Sequence, residues 1–156
     1  MKNSNLIVMF ALASSMVLAS GGISVASAAG LAIGGKAKDG TLYAGISPDS
    51  KKFIYTTPTD APGIYNWYLG KDYCHNSQAH GHDDWRVPSR SERNVLFENR
   101  AKGNLKGTFN ETGSNPAGWY LSSYTYAKEQ WPQNFSDGEE DFARLIYPAS
   151  LRCVRG

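Results

Sequence analysis

The chain is 156 residues long, 41% hydrophobic and 19% charged, with 16 Lys and Arg against 14 Asp and Glu for a formal net charge of +2. This length leaves room for one domain with a real core and excludes two, and the near-neutral charge lacks the basic block that neutralises a phosphate backbone, which excludes nucleic acid as the expected partner. Nine Tyr, four Trp and six Phe exceed what one small core absorbs, and Tyr and Trp favour places where one side is apolar and the other wet, so a recognition surface is the expected home for the excess.

Residues 1–28 read as a cleavable secretory signal. Lys2 gives a positive start, Leu6 to Ala19 an apolar run, and Ala26-Ser27-Ala28 the small residues a signal peptidase needs. Ser14, Ser15, Ser20, Gly21 and Gly22 interrupt the run before the ~20 apolar residues that span a bilayer. The expected product is exported (periplasmic, cell-surface or extracellular) with no membrane span after cleavage. Residues 29–40 form an unpatterned lead-in, and residues 41–156 are the folded domain.

Thr41 to Ser47 and Lys52 to Thr57, separated by Pro48-Asp49-Ser50, predict an opening hairpin. Thr59-Asp60-Ala61-Pro62 resembles a helix start, and Ile64, Trp67, Lys71 and Cys74 recur at three- and four-residue steps, predicting a helix over about 62–78. Within it, Gly70 marks close packing. Ser89-Arg90-Ser91-Glu92 after Pro88 is a capping box, predicting a second helix over about 91–100. From 101 to 117 the chain is rich in Gly, Asn and Thr and reads as loop. Strand-like pieces follow at Trp119 to Ser123, Trp131 to Phe135 and Leu151 to Arg155. Hairpin, two helices and a run of strands predict an α+β domain with an antiparallel sheet. Cys74 and Cys153 are the only cysteines, and in an oxidising compartment they suggest one disulfide closing most of the domain; they lack the Cys-x-x-Cys spacing of a reactive pair.

Trp67-x-x-Gly70-x-x-x-Cys74, Asp84-Trp85-Arg86-Val87-Pro88-Ser89 running into Glu92 and Leu96, Gly118-Trp119-Tyr120-Leu121-Ser122-Ser123, Trp131, Phe135 and Leu151-Arg152-Cys153-Val154-Arg155 stand in one order. Together they resemble the Lcl C-terminal domain family, named for a collagen-like bacterial adhesin. The resemblance runs from about Thr41 to the end and implies a C-type-lectin-like fold: two helices, a twisted antiparallel sheet and long C-terminal loops. It implies adhesion or ligand binding; no nucleophile, base and orienting group stand in a pattern that converges, so neither catalysis nor a cofactor is expected. Gly70, Arg93 and Leu121 depart from the family's usual residues and read as packing variations. Trp67, Trp85, Arg86, Pro88, Trp119 and Trp131 read as structural, with Trp85 filling core and Arg86 satisfying carbonyls or a carboxylate at a corner.

The expected ligand face lies between the Trp-Ser-Ser strand and the last strand. It comprises Tyr124, Tyr126, Lys128, Glu129, Gln133, Asp137, Glu139, Glu140, Asp141, Phe142, Arg144 and Tyr147, rigid aromatic anchors among adaptable polar neighbours. Its ligand is a protein or a glycan; an ordinary polar loop face is the alternative. Calcium-lectin signatures such as Glu-Pro-Asn are missing, and the acidic run at 137–141 reads as a solvated turn rather than a cation site. His75, His80 and His82 near Asp83 and Asp84 are chemically able to hold zinc, but their spacing is loose. A metal-dependent enzyme or factor using His80 and His82 is the runner-up function, and a structural envelope component a third; no metal site is expected.

Overall fold

The computed structural model describes residues 30–156, so the expected signal at 1–28 lies outside the described residues. Chain order is β1 (Leu42–Ile46), β2 (Phe53–Thr56), α1 (Trp67–His75), α2 (Arg90–Asn99), β3 (Trp119–Tyr120), β4 (Thr125–Tyr126), β5 (Glu129–Gln130), β6 (Gln133–Asn134), β7 (Ala143–Arg144) and β8 (Val154–Arg155). The architecture is α+β, as the order of patterns predicts. The single sheet expected from sequence is instead three small antiparallel ones, ordered β1-β2-β8, β3-β6 and β4-β5-β7. The C-terminal segments pair for only two residues each because their neighbouring backbone groups bond to loops: Leu121 N–H to Ser150 O, Asp141 N–H to Pro132 O, and Ala61 N–H to Leu151 O.

The opening hairpin forms where predicted, with Ser47 Oγ accepting the Asp49 and Ser50 amides in its turn. A register shift between Tyr43 and Gly45 leaves Ala44 unmatched in the ladder, and its carbonyl accepts from Asn99 Nδ2 at 2.8 Å, seating α2 on β1. The lead-in is more ordered than its lack of pattern suggests. Gly34 N–H donates to Tyr43 O and Tyr43 N–H to Gly35 O, so this segment lies against β1. Gly34 sits at φ +79°, where an added Cβ would stand 2.2 Å from Lys102 O, so only glycine fits.

The first helix is shorter than predicted. Tyr65 is held in a bridge to Ala149 through both backbone bonds, so no helix forms before Asn66, whose side chain accepts from Leu69 N–H as the actual cap. Asn76 closes the far end by donating its backbone and side-chain N–H to Asp72 O. Gly70 is buried, and a Cβ there would meet Leu121 Cδ1 at 2.9 Å, the close packing expected at this glycine. Cys74 on α1 is bonded to Cys153 beside β8, 79 residues away.

At α2 the capping box is complete: Ser89 Oγ accepts from Glu92 N–H, and Glu92 accepts from Ser89 N–H. The same carboxylate takes two bonds from Arg86, at 2.5 and 2.9 Å, and one from Ser47 Oγ at 2.7 Å. Arg86 therefore satisfies a carboxylate, Trp85 is buried with its Nε1–H on Ala79 O, and Pro88 O accepts from Ser123 N–H, the corner expected from the motif. Burial alone would raise the Glu92 pKa, but the bonds from Arg86, Ser89 and Ser47 overcome it and hold it down to about 2, against an ordinary 4.5. A depressed folded-state pKa contributes stability that is fully present above 4.5 and is lost as pH falls through about 2. Unfolding free energy is expected to fall by roughly 3 kcal/mol across that interval from this carboxylate. Urea titrations between pH 5 and pH 2 on the parent and Glu92→Gln check it; equal acid losses in both would refute the assignment.

Two apolar clusters make the core. Leu42, Ala44, Ile54, Leu96, Leu105, Phe109, Tyr120, Phe135 and Val154 join α2 to the opening hairpin. Cys74, Trp85, Val87, Leu121, Leu151 and Cys153 join α1 to the last strand. Arg152 is buried between loops, donating to Asp60 Oδ1 at 2.7 Å and Thr57 O at 2.8 Å, with its guanidinium 4.0 Å from the Phe109 ring centre.

Candidate functional site

The C-terminal loops build one face on α2. β4 and β5 form a hairpin whose two turn residues, Ala127 and Lys128, lie at φ +51° and +67°. This left-handed pair suits a two-residue hairpin, but Gly or Asn adopts it more readily, so the tip carries local strain. Tyr124, Tyr126 and Lys128 are exposed, Tyr126 at 67%, with Glu129 half-buried. Arg90 on α2 lies 5.4 Å from the Tyr124 ring centre and 5.5 Å from that of Trp131, and Trp131 packs 6.1 Å from Phe142. These contacts place Tyr124, Trp131 and Phe142 along one surface with a guanidinium between the first two.

Arg93 anchors this face from below. It is 0% exposed. Its guanidinium donates to Trp131 O, to Gln133 Oε1 at 3.2 Å and to Glu140, which also pairs with Arg90. Burial pulls the Arg93 pKa down to about 10, the Glu140 charge opposes that fall, and the group stays cationic at neutral pH. Burial would raise Glu140, but the bonds from Arg90 and the charge of Arg93 hold it below the usual carboxylate range.

The acidic run is accordingly a turn. Glu140 is spent on the two arginines, Asp137 accepts from Glu139 N–H, and Asp141 Oδ1 accepts from Phe142 N–H. Gln133 does not belong to the exposed set: it is 3% exposed, and its amide is used by Arg93, Asn94 and Gly138. Asp137, Glu139, Asp141, Phe142, Arg144 and Tyr147 are all exposed.

Beside Phe142 lies a cleft of about 420 Å³, lined by Asn115, Pro116, Trp119, Pro132, Asp141, Phe142, Ala143, Tyr147, Pro148 and Ala149. Three separate stretches of chain supply its walls. It gathers Asp141, Phe142 and Tyr147 from the expected face and places them against Trp119, which reads as purely structural in the sequence. Asn115 and the three prolines were missed; the one cue to them was proline recurring in a region otherwise made of short polar segments.

The family model of the Lcl C-terminal domain matches residues 46–155, beginning at the end of β1 and reaching β8. This chain belongs to the Lcl C-terminal domain family. The family is one of non-catalytic, adhesin-type domains. No curated protein sequence matches the chain.

His80 and His82 have structural partners. His80 Nδ1 lies 2.9 Å from Asp39 O, and His82 Nε2 lies 2.8 Å from Asp39 Oδ2. Arg155 approaches the same carboxylate at 3.3 Å, so the lead-in is clasped to the last strand. Burial would raise Asp39, but bonds from the Thr41 hydroxyl and amide, His82 and Arg155 hold it well below the usual carboxylate range. Among the described residues no group of three or more His, Cys, Asp or Glu side chains is placed to hold a metal, and no helix is long and apolar enough to cross a membrane.

Proposed function

We propose that this chain is a secreted or envelope-associated binding module of C-type-lectin-like fold, residues 41–156 following a signal at 1–28 and a lead-in at 29–40, that recognises a protein or glycan through its C-terminal loop face. The observation that carries the reading is the aromatic cleft of about 420 Å³, with Phe142 60% and Tyr147 53% exposed on loops anchored through Arg93. Clefts of this size lined by rings and a few polar groups are the usual form of a ligand site. Large aromatic side chains left in solvent cost the free chain apolar hydration that a partner would relieve. Anchoring the loops from beneath lowers the entropy lost on binding. The Gln133 side chain, buried in that anchor, takes a supporting role, while Trp119 joins the contact set.

The test screens residues 29–156 against glycan arrays and envelope extracts, in calcium and in chelator, beside a Tyr124→Ala/Tyr126→Ala/Tyr147→Ala variant. The three rings are exposed, so the variant is expected to keep its melting temperature while saturable binding weakens at least tenfold, as loss of central aromatic anchors does. Equal binding by the folded variant would remove function from this face. Binding that chelator abolishes would return the acidic turn to consideration as a cation site.

A further inference from the structure

The chemistry of the cleft narrows its occupant, an inference that rests on the binding-face reading above. Its only charged lining residue is Asp141. One oxygen of that carboxylate takes the Phe142 amide, and among the described residues Asp141, like Asp137 and Glu139 on the same loop, is in no ion pair. An unneutralised carboxylate beside aromatic rings favours a cation: the ring face attracts a guanidinium, and the carboxylate pairs with it through charge-assisted bonds.

The remainder of the lining is apolar or ring-shaped, with the Asn115 amide, the Tyr147 hydroxyl and the Trp119 indole N–H the other side-chain polar groups, few for a ligand with a hydroxyl on most of its carbons. A sugar carries a hydroxyl on most ring carbons, and each one buried without a partner loses its hydration uncompensated. An anionic glycan would also meet Asp141 with like charge. A polyproline segment makes neither demand. Its backbone needs no ladder, its prolyl rings pack on aromatic walls, and its extended form is largely set before binding.

We propose that the cleft takes a proline-rich segment of a partner protein, its prolyl rings against Trp119, Phe142 and Tyr147 and an arginine of the segment on Asp141. The probe is a fluorescein-labelled peptide, Pro-Pro-Arg-Pro-Pro-Arg-Pro-Pro, titrated by anisotropy with the disulfide-bonded chain 29–156. Its comparators are the same peptide with Glu for Arg, an all-proline octamer, and a Gly-Ser peptide with two arginines.

Saturable binding is expected for the first peptide, at least tenfold weaker for the Glu and Gly-Ser peptides. Phe142→Ser should weaken it about tenfold or more. Asp141→Asn should weaken the arginine peptide about fivefold and leave the all-proline octamer unchanged, which a merely destabilised loop would not do. Equal binding of the Gly-Ser peptide, or indifference to Phe142→Ser, overturns the proposal. So does saturation by a neutral oligosaccharide such as chitotetraose where the peptide fails; the face would then stand as a binding site for another class. If neither probe binds and no envelope component is lost by the three-tyrosine variant, both readings fall together.

Discussion

Replacing Cys74 and Cys153 together by alanine is expected to lower the unfolding free energy by about 4 to 5 kcal/mol, the largest effect any pair of side chains in this domain should have. The bond joins α1 to the last strand across 79 residues of sequence. Chain-entropy theory assigns that magnitude to a loop of such length, since the cross-link removes open conformations from the unfolded chain rather than adding contacts to the folded one. Both sulfurs are buried in the second apolar cluster, so part of the loss will be packing. A small domain's whole stability is of order 5–15 kcal/mol, so the variant should remain folded only marginally.

Urea unfolding of the oxidised parent and the double variant separates the two contributions. The entropic share acts on the unfolded state, so the denaturant slope should rise in the variant as its unfolded chain expands, while a packing loss would shift the midpoint at constant slope. A difference below about 1.5 kcal/mol would mean that the native contacts between α1 and the last strand, not the cross-link, set the stability of this end of the domain.

The disulfide was legible because a sequence with two cysteines offers one pairing. The opening hairpin and α2 were legible for a similar reason, since each is written in adjacent residues: Pro48-Asp49-Ser50 for the turn, and Ser89 with Glu92 for a cap that both local and tertiary bonds reinforce. The start of α1 was misplaced because two cap-like signals compete there. Thr59 to Pro62 has the composition of a cap, but the Ala61 N–H bonds to Leu151 O and Tyr65 pairs with Ala149, far along the chain, which keeps that stretch out of a helix and leaves Asn66 to do the capping. The division into three sheets was hidden for the same reason, because two-residue strands carry no readable period and are set by partners elsewhere.

The face itself was half legible. Exposed aromatic and charged residues between 124 and 147 announced a surface, but Gln133 looks no different in sequence from the exposed residues around it, and its burial follows from Arg93. The cleft's shape could not be read, because Pro116, Pro132 and Pro148 meet only when three loops fold together.

Arg93→Leu, which puts an aliphatic side chain in place of the buried guanidinium, is expected to destabilise the domain by about 3 to 4 kcal/mol and to loosen the loop face more than the rest. The substitution leaves Trp131 O and Gln133 Oε1 without their buried donor and removes one of the two cations on Glu140. Glu140 keeps Arg90, which is largely solvated, so most of the loss comes from the unpaired acceptors rather than from the ion pair. Arg93→Lys should recover little, because one ammonium cannot span three acceptors spread across the Trp131 to Glu140 loop. Removing the acceptor as well, in Arg93→Leu/Glu140→Leu, should cost less than the two single changes added together, the sign expected when both ends of a buried pair become apolar. Amide exchange supplies the local readout. Protection should fall first at Asn134 and Asp141, whose N–H groups bond within the loop, while Thr56 and Val154 in the β1-β2-β8 sheet keep theirs. Uniform loss across both regions would show that Arg93 supports the whole core, and that the order of the binding face is maintained by something other than this guanidinium.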